Sequence, residues 1–134
     1  MKDHVHLQTA ALLRRLAVQM NRTAKSADEE AIHDLRVVIR RLSRCLRVFS
    51  IFYPGNSWKR LRRRLRTLMD AAAVVRDLDI TAELVARAGA ENTALLPAIS
   101  EARTRAKRQL QREARLWNAR GWSKKWRNAL GLGV

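Results

Sequence analysis

Acidic residues are scarce in this chain: 12 Asp and Glu stand against 28 Lys and Arg, a formal net charge of +16. Five Gly and two Pro leave few positions that break a helix, so long helices can run uninterrupted. A single cysteine, Cys45, excludes an internal disulfide, and nothing asks for an oxidising compartment. Cys45 sits in an apolar helical pattern and reads as a small buried hydrophobe. No apolar run approaches the roughly 20 residues of a membrane-spanning helix. The first twenty residues mix acid, His and Arg into their apolar positions and have no small-residue cleavage site, unlike a signal peptide. A soluble, cytoplasmic protein is expected.

The chemistry of a catalytic or metal centre is also missing. No His/Cys/Asp/Glu cluster has metal-ligand spacing, no Gly-rich loop could cradle a phosphate, and no nucleophile has a base and an orienter beside it. His4 and His6 are two apart, hence on different faces of a helix, and read as structural or incidental. Neither cofactor nor metal nor catalytic residue is expected.

What is present is helical. The 134 residues, 47% of them apolar, make one domain large enough for its own core. Apolar spacing predicts a first helix from about Asp3 to Thr23. A second should start at an N-cap, Asp28, and stop before the Pro54-Gly55 turn pair. A third should start near Asn56 or Ser57 and reach Val75, then continue or kink through residue 88, with Gly89 as its stop. A fourth should begin after Asn92, with Pro97 in its first turns, and extend to about Arg120. A Trp-containing segment over 117–134 closes the chain. Ile32, Leu35, Ile39, Leu42, Leu46, Phe49 and Tyr53 step by three and four as a packing stripe. Similar stripes follow at Trp58, Leu61, Leu65, Leu68 and Ala72 and at Leu95, Ile99, Ala102, Ala106 and Leu110. Short connections between such helices predict an all-α, antiparallel four-helix bundle.

The positive charge is blocked along the chain. Residues 33–66 hold eleven basic residues and one acid, 103–127 hold ten and one, and the intervening 67–102 hold two and six. Blocks of one sign repel themselves unless a polyanion neutralises them. On the second helix His33, Arg36, Arg40, Arg44 and Arg47 fall within about 80° of arc, a ridge roughly 20 Å long beside the apolar stripe. Lys59, Arg62, Arg63 and Arg66 make a comparable rail on the third helix, and Arg105, Arg108, Arg112 and Arg115 on the fourth. Arg dominates these rails, and its planar fork makes bidentate bonds to phosphate oxygens. If the helices pack side by side, the rails converge into a polyanion-binding surface. His33 heads the first rail and can donate to a phosphate.

Arg76-Asp77-Leu78-Asp79 is acidic where its neighbours are basic. Arg76 and Asp77 read as a structural ion pair or cap that orients the rail arginines. Catalytic carboxylates at Asp77 and Asp79, in a metal-dependent phosphohydrolase, are the sharper alternative. A non-sequence-specific nucleic-acid binder is the runner-up to the polyanion reading, ahead of the phosphohydrolase. Against it, the rail positions themselves hold no stacking aromatics and no Asn, Gln or Ser.

The string from His33 through Arg36, Arg40, Arg41, Arg44 and Arg47 to Phe49, followed by Leu65 and then Val75-Arg76-Asp77-Leu78-Asp79-Ile80, resembles the CHAD family, the conserved-histidine α-helical domain. The likeness covers about residues 28–115. It implies a helical bundle that binds inorganic polyphosphate in a basic groove, without catalysis, and in some members association with polyphosphate granules. His33, Arg36, Arg40, Arg44 and Arg47 would line that groove, joined by Lys59, Arg62, Arg63 and Arg66 and by Arg105, Arg108 and Arg112. The metal binding once suggested by the family's name would need more histidines than this chain has. Where the family has a Gly three residues before the Arg-Asp pair, this chain has Ala73, still small enough for close helix packing. Family domains are typically twice this length, built from two related four-helix halves. One half alone implies a two-fold symmetric homodimer, with Trp117, Trp122 and Trp126 as candidates either for its interface or for burial in their own bundle. A piece of a longer chain is the alternative.

Overall fold

A computed structural model describes residues 1–89, 94–119 and 121–133, and among these every regular element is a helix. α1 is Lys2–Lys25, α2 is Glu29–Val48, α3 is Ser57–Arg87, α4 is Leu95–Trp117 and α5 is Trp122–Ala129. None of the described helices is long and apolar enough to cross a membrane. α1 packs along α2 and α4, and α3 along the same two, so the four long helices close a ring around one core.

Most residues of the expected stripes fill that core, but Leu95, expected in the stripe of α4, is exposed. Ile32, Leu35, Ile39, Leu42 and Leu46 from α2 and Leu61, Leu65, Leu68, Ala72 and Val75 from α3 are buried against Leu13, Leu16 and Met20 of α1 and Leu110 and Ala114 of α4. Asp28 accepts from the Ala31 N–H at 2.8 Å, which caps α2, while Glu29 and Glu30 lie at the positive end of the helix dipole. Gly89 has φ +61, the left-handed turn that ends α3 after Arg87. α3 runs from Ser57 to Arg87 as one helix of 31 residues, the continued form of the two expected. The starting point at Asn92 and the end at Arg120 expected for α4 lie outside the described residues.

Two boundaries differ from the sequence reading. α2 ends at Val48, and Ser50–Phe52 form a single 3₁₀ turn that carries Tyr53 back to the core. A buried tyrosine needs a partner for its hydroxyl. Thr9 Oγ1 donates to the Val5 carbonyl at 2.8 Å and so accepts from Tyr53, 2.6 Å away. Half-buried Cys45 places its Sγ 3.6 Å from both oxygens. His6, buried and stacked on Tyr53, donates from Nε2 to the Phe52 carbonyl at 2.7 Å, so it pins this turn. The second difference is α5, which the sequence left as a tail. Trp122 and Trp126 are spaced four apart and buried, Trp122 lies edge-on to Trp117 at 5.4 Å, and the helix packs on α1. All three tryptophans are buried in the chain's own core.

Burial holds the Tyr53 phenol above its ordinary value of 10. A phenol whose pKa is raised by folding contributes stability that is complete below the unfolded value and lost as pH climbs toward the folded one. Urea unfolding between about pH 9 and 12 is therefore expected to show stability falling above pH 10, and Tyr53→Phe should flatten that fall.

Candidate functional site

The apolar stripe of α2 is bordered by Arg40, Arg44 and Arg47, and that of α3 by Arg62 and Arg66. When the stripes pack, the borders meet. They enclose a cleft of about 270 Å³ lined by these five arginines together with Ile39, Ser43, Leu65, Met69 and Asp70. Ile39 and Leu65 are almost wholly buried and form the floor, while half of the ten lining residues are arginines. Arg62 Nε donates to Ser43 Oγ at 3.3 Å across the cleft, which ties one wall to the other and leaves both Nη groups free of that bond.

Toward the start of α2 a smaller cavity of about 110 Å³ is lined by His33, Arg36, Arg76 and Asp79, with Glu29, Ile32 and Ile80. Arg36 is half-buried and its Nε is fully buried with no hydrogen-bond partner. Burial lowers the Arg36 pKa, the positive charges of Arg76 and Arg40 lower it further, and Asp77 offsets part of this. Such a group is held beside like charges that Asp77 only partly offsets. Asp79 is already occupied: Arg103 of α4 places Nη2 2.8 Å and Nε 2.9 Å from Asp79 Oδ1, and the carboxylate is only 15% exposed.

The pairing expected of Arg76 with Asp77 is not formed among the described residues; the ion pair of this stretch is Asp79 with Arg103. Successive residues of a helix point about 100° apart, so neighbours in sequence do not face each other. Arg76 turns to the smaller cavity instead, a position the sequence did hint at: 62, 66, 69, 73 and 76 step by four and three along one face.

A third depression, of about 430 Å³, lies around the start of α3 and is lined by Asn56, Trp58, Lys59, Arg62, Arg63 and Arg66. It shares Arg62 and Arg66 with the α2–α3 cleft. All nine residues of the first two rails, His33 through Arg66, thus line one of three depressions along α2 and α3.

The family model described as CHAD domain matches residues 8–132, a span that takes in all three. The chain belongs to the CHAD family. No curated protein and no solved structure matches it.

Within this CHAD domain the α4 rail is not brought to the cleft. Arg105, Arg108 and Arg112 line none of the three depressions. Arg105 pairs with Glu101 at 3.0 Å, and Arg112 donates to Gln109 at 3.2 Å. Arg115 and Gln111 donate to the Ala24 carbonyl at the end of α1, at 3.3 and 3.2 Å, and so satisfy an acceptor that the helix itself leaves open. α4 rotates this side toward α1 because Leu110, Ala114 and Trp117 must face the core. Periodicity shows which residues share a face but not which neighbour that face meets.

The carboxylates explain how the cleft keeps its charge. Asp34, the one acid of the first basic block, is bound by Arg22 of α1 at 2.6 Å and cannot neutralise the rail. That hydrogen bond is the main cause raising the Arg22 pKa. Asp70 is the exception that sequence reasoning missed: it lines the α2–α3 cleft and makes no ion pair or hydrogen bond among the described residues. An unpaired carboxylate among arginines opposes a bound anion. Asp70→Asn, isosteric and exposed, is expected to tighten binding of a phosphate chain severalfold with the fold unchanged, measured by calorimetric titration at fixed salt. Equal or weaker binding would show that the ligand does not pass Asp70. Among the described residues no group of three or more His, Cys, Asp and Glu could hold a metal ion.

Proposed function

We propose that this CHAD domain binds inorganic polyphosphate along the α2–α3 cleft and does no chemistry on it. The observation that carries the reading is the lining of one cleft by five arginines from two helices, with a single free carboxylate among them. A phosphate chain offers a continuous row of oxygens to which guanidinium forks make charge-assisted bonds. It has no bases to read, and the α2–α3 cleft has no aromatic side chain. His33, Arg36 and Arg76 in the smaller cavity extend the same track toward the start of α2. In a cell that accumulates polyphosphate, the protein would be found with its granules.

The architecture that goes with this reading is an antiparallel four-helix bundle. Support comes from the linings: His33 and Arg36 meet Arg76 and Asp79, whereas Arg44 and Arg47 meet Arg62 and Arg66, so numbers rise along α2 as they fall along α3. The family resemblance further implies a homodimer equivalent to a double domain. Its candidate surface is not the buried tryptophans but the exposed aliphatic side chains Ile80 and Leu84 near the end of α3 and Leu95 and Leu96 at the start of α4. Light scattering across a concentration series tests this, with twice the chain mass expected.

Competition tests the ligand. Long polyphosphate is expected to displace duplex and single-stranded nucleic acid at equal phosphate concentration, with affinity falling steeply as salt rises. Displacement in the opposite sense would favour a nucleic-acid binder. Release of phosphate in the presence of Mg²⁺ or Mn²⁺ would instead favour a hydrolase acting through Asp77 and Asp79.

A further inference from the structure

The depression at the start of α3 contains two groups that the α2–α3 cleft lacks. One is the indole of Trp58, and the other is the amide of Asn56. Its volume of about 430 Å³ suits a small organic ligand.

Trp58 is half-buried and packs against the core, which fixes its plane. The Lys59 ammonium lies over the ring, 5.5 Å from its centroid, so one π-face is turned away from the core and is covered by that side chain. Asn56 occupies the N-cap position of α3 but makes no capping bond, and its amide has no hydrogen-bond partner among the described residues. Both its donor and its acceptor are therefore available. Around them stand four cations. Lys59, Arg63 and Arg66 have no carboxylate partner among the described residues, and Arg62 spends only Nε on Ser43. A ring platform, an amide that can read a polar edge, and a cluster of cations within one depression are complementary to a planar heteroaromatic base that carries several phosphates.

We propose that this depression binds a nucleoside triphosphate: the base stacks on Trp58 with its edge toward the Asn56 amide, and the phosphates lie against Lys59, Arg63 and the shared Arg62 and Arg66. The base takes the place of the Lys59 ammonium over the ring, which frees that ammonium for a phosphate oxygen. The site goes beyond polyphosphate binding, yet the two ligands share Arg62 and Arg66 and so exclude each other there.

The test compares ATP with inorganic tripolyphosphate, which carries a similar charge and no ring, by calorimetric titration of the intact chain. Stacking on an aromatic side chain is worth about 1–3 kcal/mol per base, or about five- to 150-fold in affinity. ATP is expected to bind about tenfold more tightly than tripolyphosphate. Trp58→Leu should bring the two together by weakening ATP alone, and Trp58→Phe should keep most of the difference. Circular dichroism verifies that each variant is folded. Tripolyphosphate bound by the wild type as tightly as ATP, no binding of ATP, or a preference unchanged in folded Trp58→Leu would overturn the proposal. Titration of the same variants with long polyphosphate keeps the two readings separate, since that affinity should survive loss of the indole.

Discussion

Replacing Arg44 and Arg66 together by Ala is expected to weaken polyphosphate binding by two to four orders of magnitude. The residues stand on opposite walls of the α2–α3 cleft and have no carboxylate partners among the described residues, so the substitution removes ligand contacts without freeing an acid. A hydrogen bond to a charged group contributes about 1.5–3 kcal/mol, which for two residues is roughly a hundred- to ten-thousandfold in affinity. The slope of log affinity against log salt should also become shallower by about one to two, one contact being lost from each wall. A variant with the same loss of charge elsewhere separates contact from general attraction. Arg108 and Arg112 lie on α4 and line none of the three depressions, so their joint replacement should cost only a fewfold through weaker steering. Stability should move the other way. Arg40 with Arg44, and Arg62 with Arg66, are like charges one helical turn apart, which destabilise a helix by a few tenths of a kcal/mol per pair. The Arg44/Arg66 variant should therefore melt at or above the wild-type temperature while binding far less. A fall in both would point to a folding defect.

The second large effect concerns the floor of the same cleft. Leu65 is fully buried and borders both the core and the cleft. Leu65→Ala is expected to cost about 2–5 kcal/mol, because the surrounding helices close only partly over the cavity left behind. In urea this lowers the midpoint with little change in slope. The exposed Leu84 provides the contrast: Leu84→Ala should stay within about half a kcal/mol as long as the chain is monomeric. Where it remains folded, Leu65→Ala should bind polyphosphate almost as well as wild type, since no guanidinium has been removed. Loss of binding in the folded variant would mean that the spacing of the two arginine walls depends on this one side chain.

Much of this was legible in the sequence because it depends on a single helix. The three-and-four spacing of Ile32, Leu35, Ile39, Leu42 and Leu46 fixes a buried face, and the same arithmetic sets Arg40, Arg44 and Arg47 beside it. Asp28 and Gly89 mark helix ends through local backbone chemistry. What escaped depends on two elements at once. The early end of α2 follows from the bond between Tyr53 and Thr9, 44 residues apart in the chain. Asp34 finds Arg22, and Asp79 finds Arg103, only after the helices have chosen their rotation about their own axes. The α4 rail has the periodicity of the others, yet Arg115 and Gln111 turn to α1 because the core side of α4 leaves them there. α5 is a short helix whose two tryptophans declare a face only once Trp117 is beside them. The CHAD resemblance implied rails on α2, α3 and α4 alike, whereas the α2–α3 cleft is lined by arginines of the first two only.

The most direct measurement is an NMR titration of the arginine Nε–Hε signals with long polyphosphate. Shifts concentrated at Arg40, Arg44, Arg47, Arg62 and Arg66, with Arg105, Arg108 and Arg112 nearly still, are the predicted result. Shifts spread evenly over all four long helices, or centred on α4, would contradict a binding track between α2 and α3.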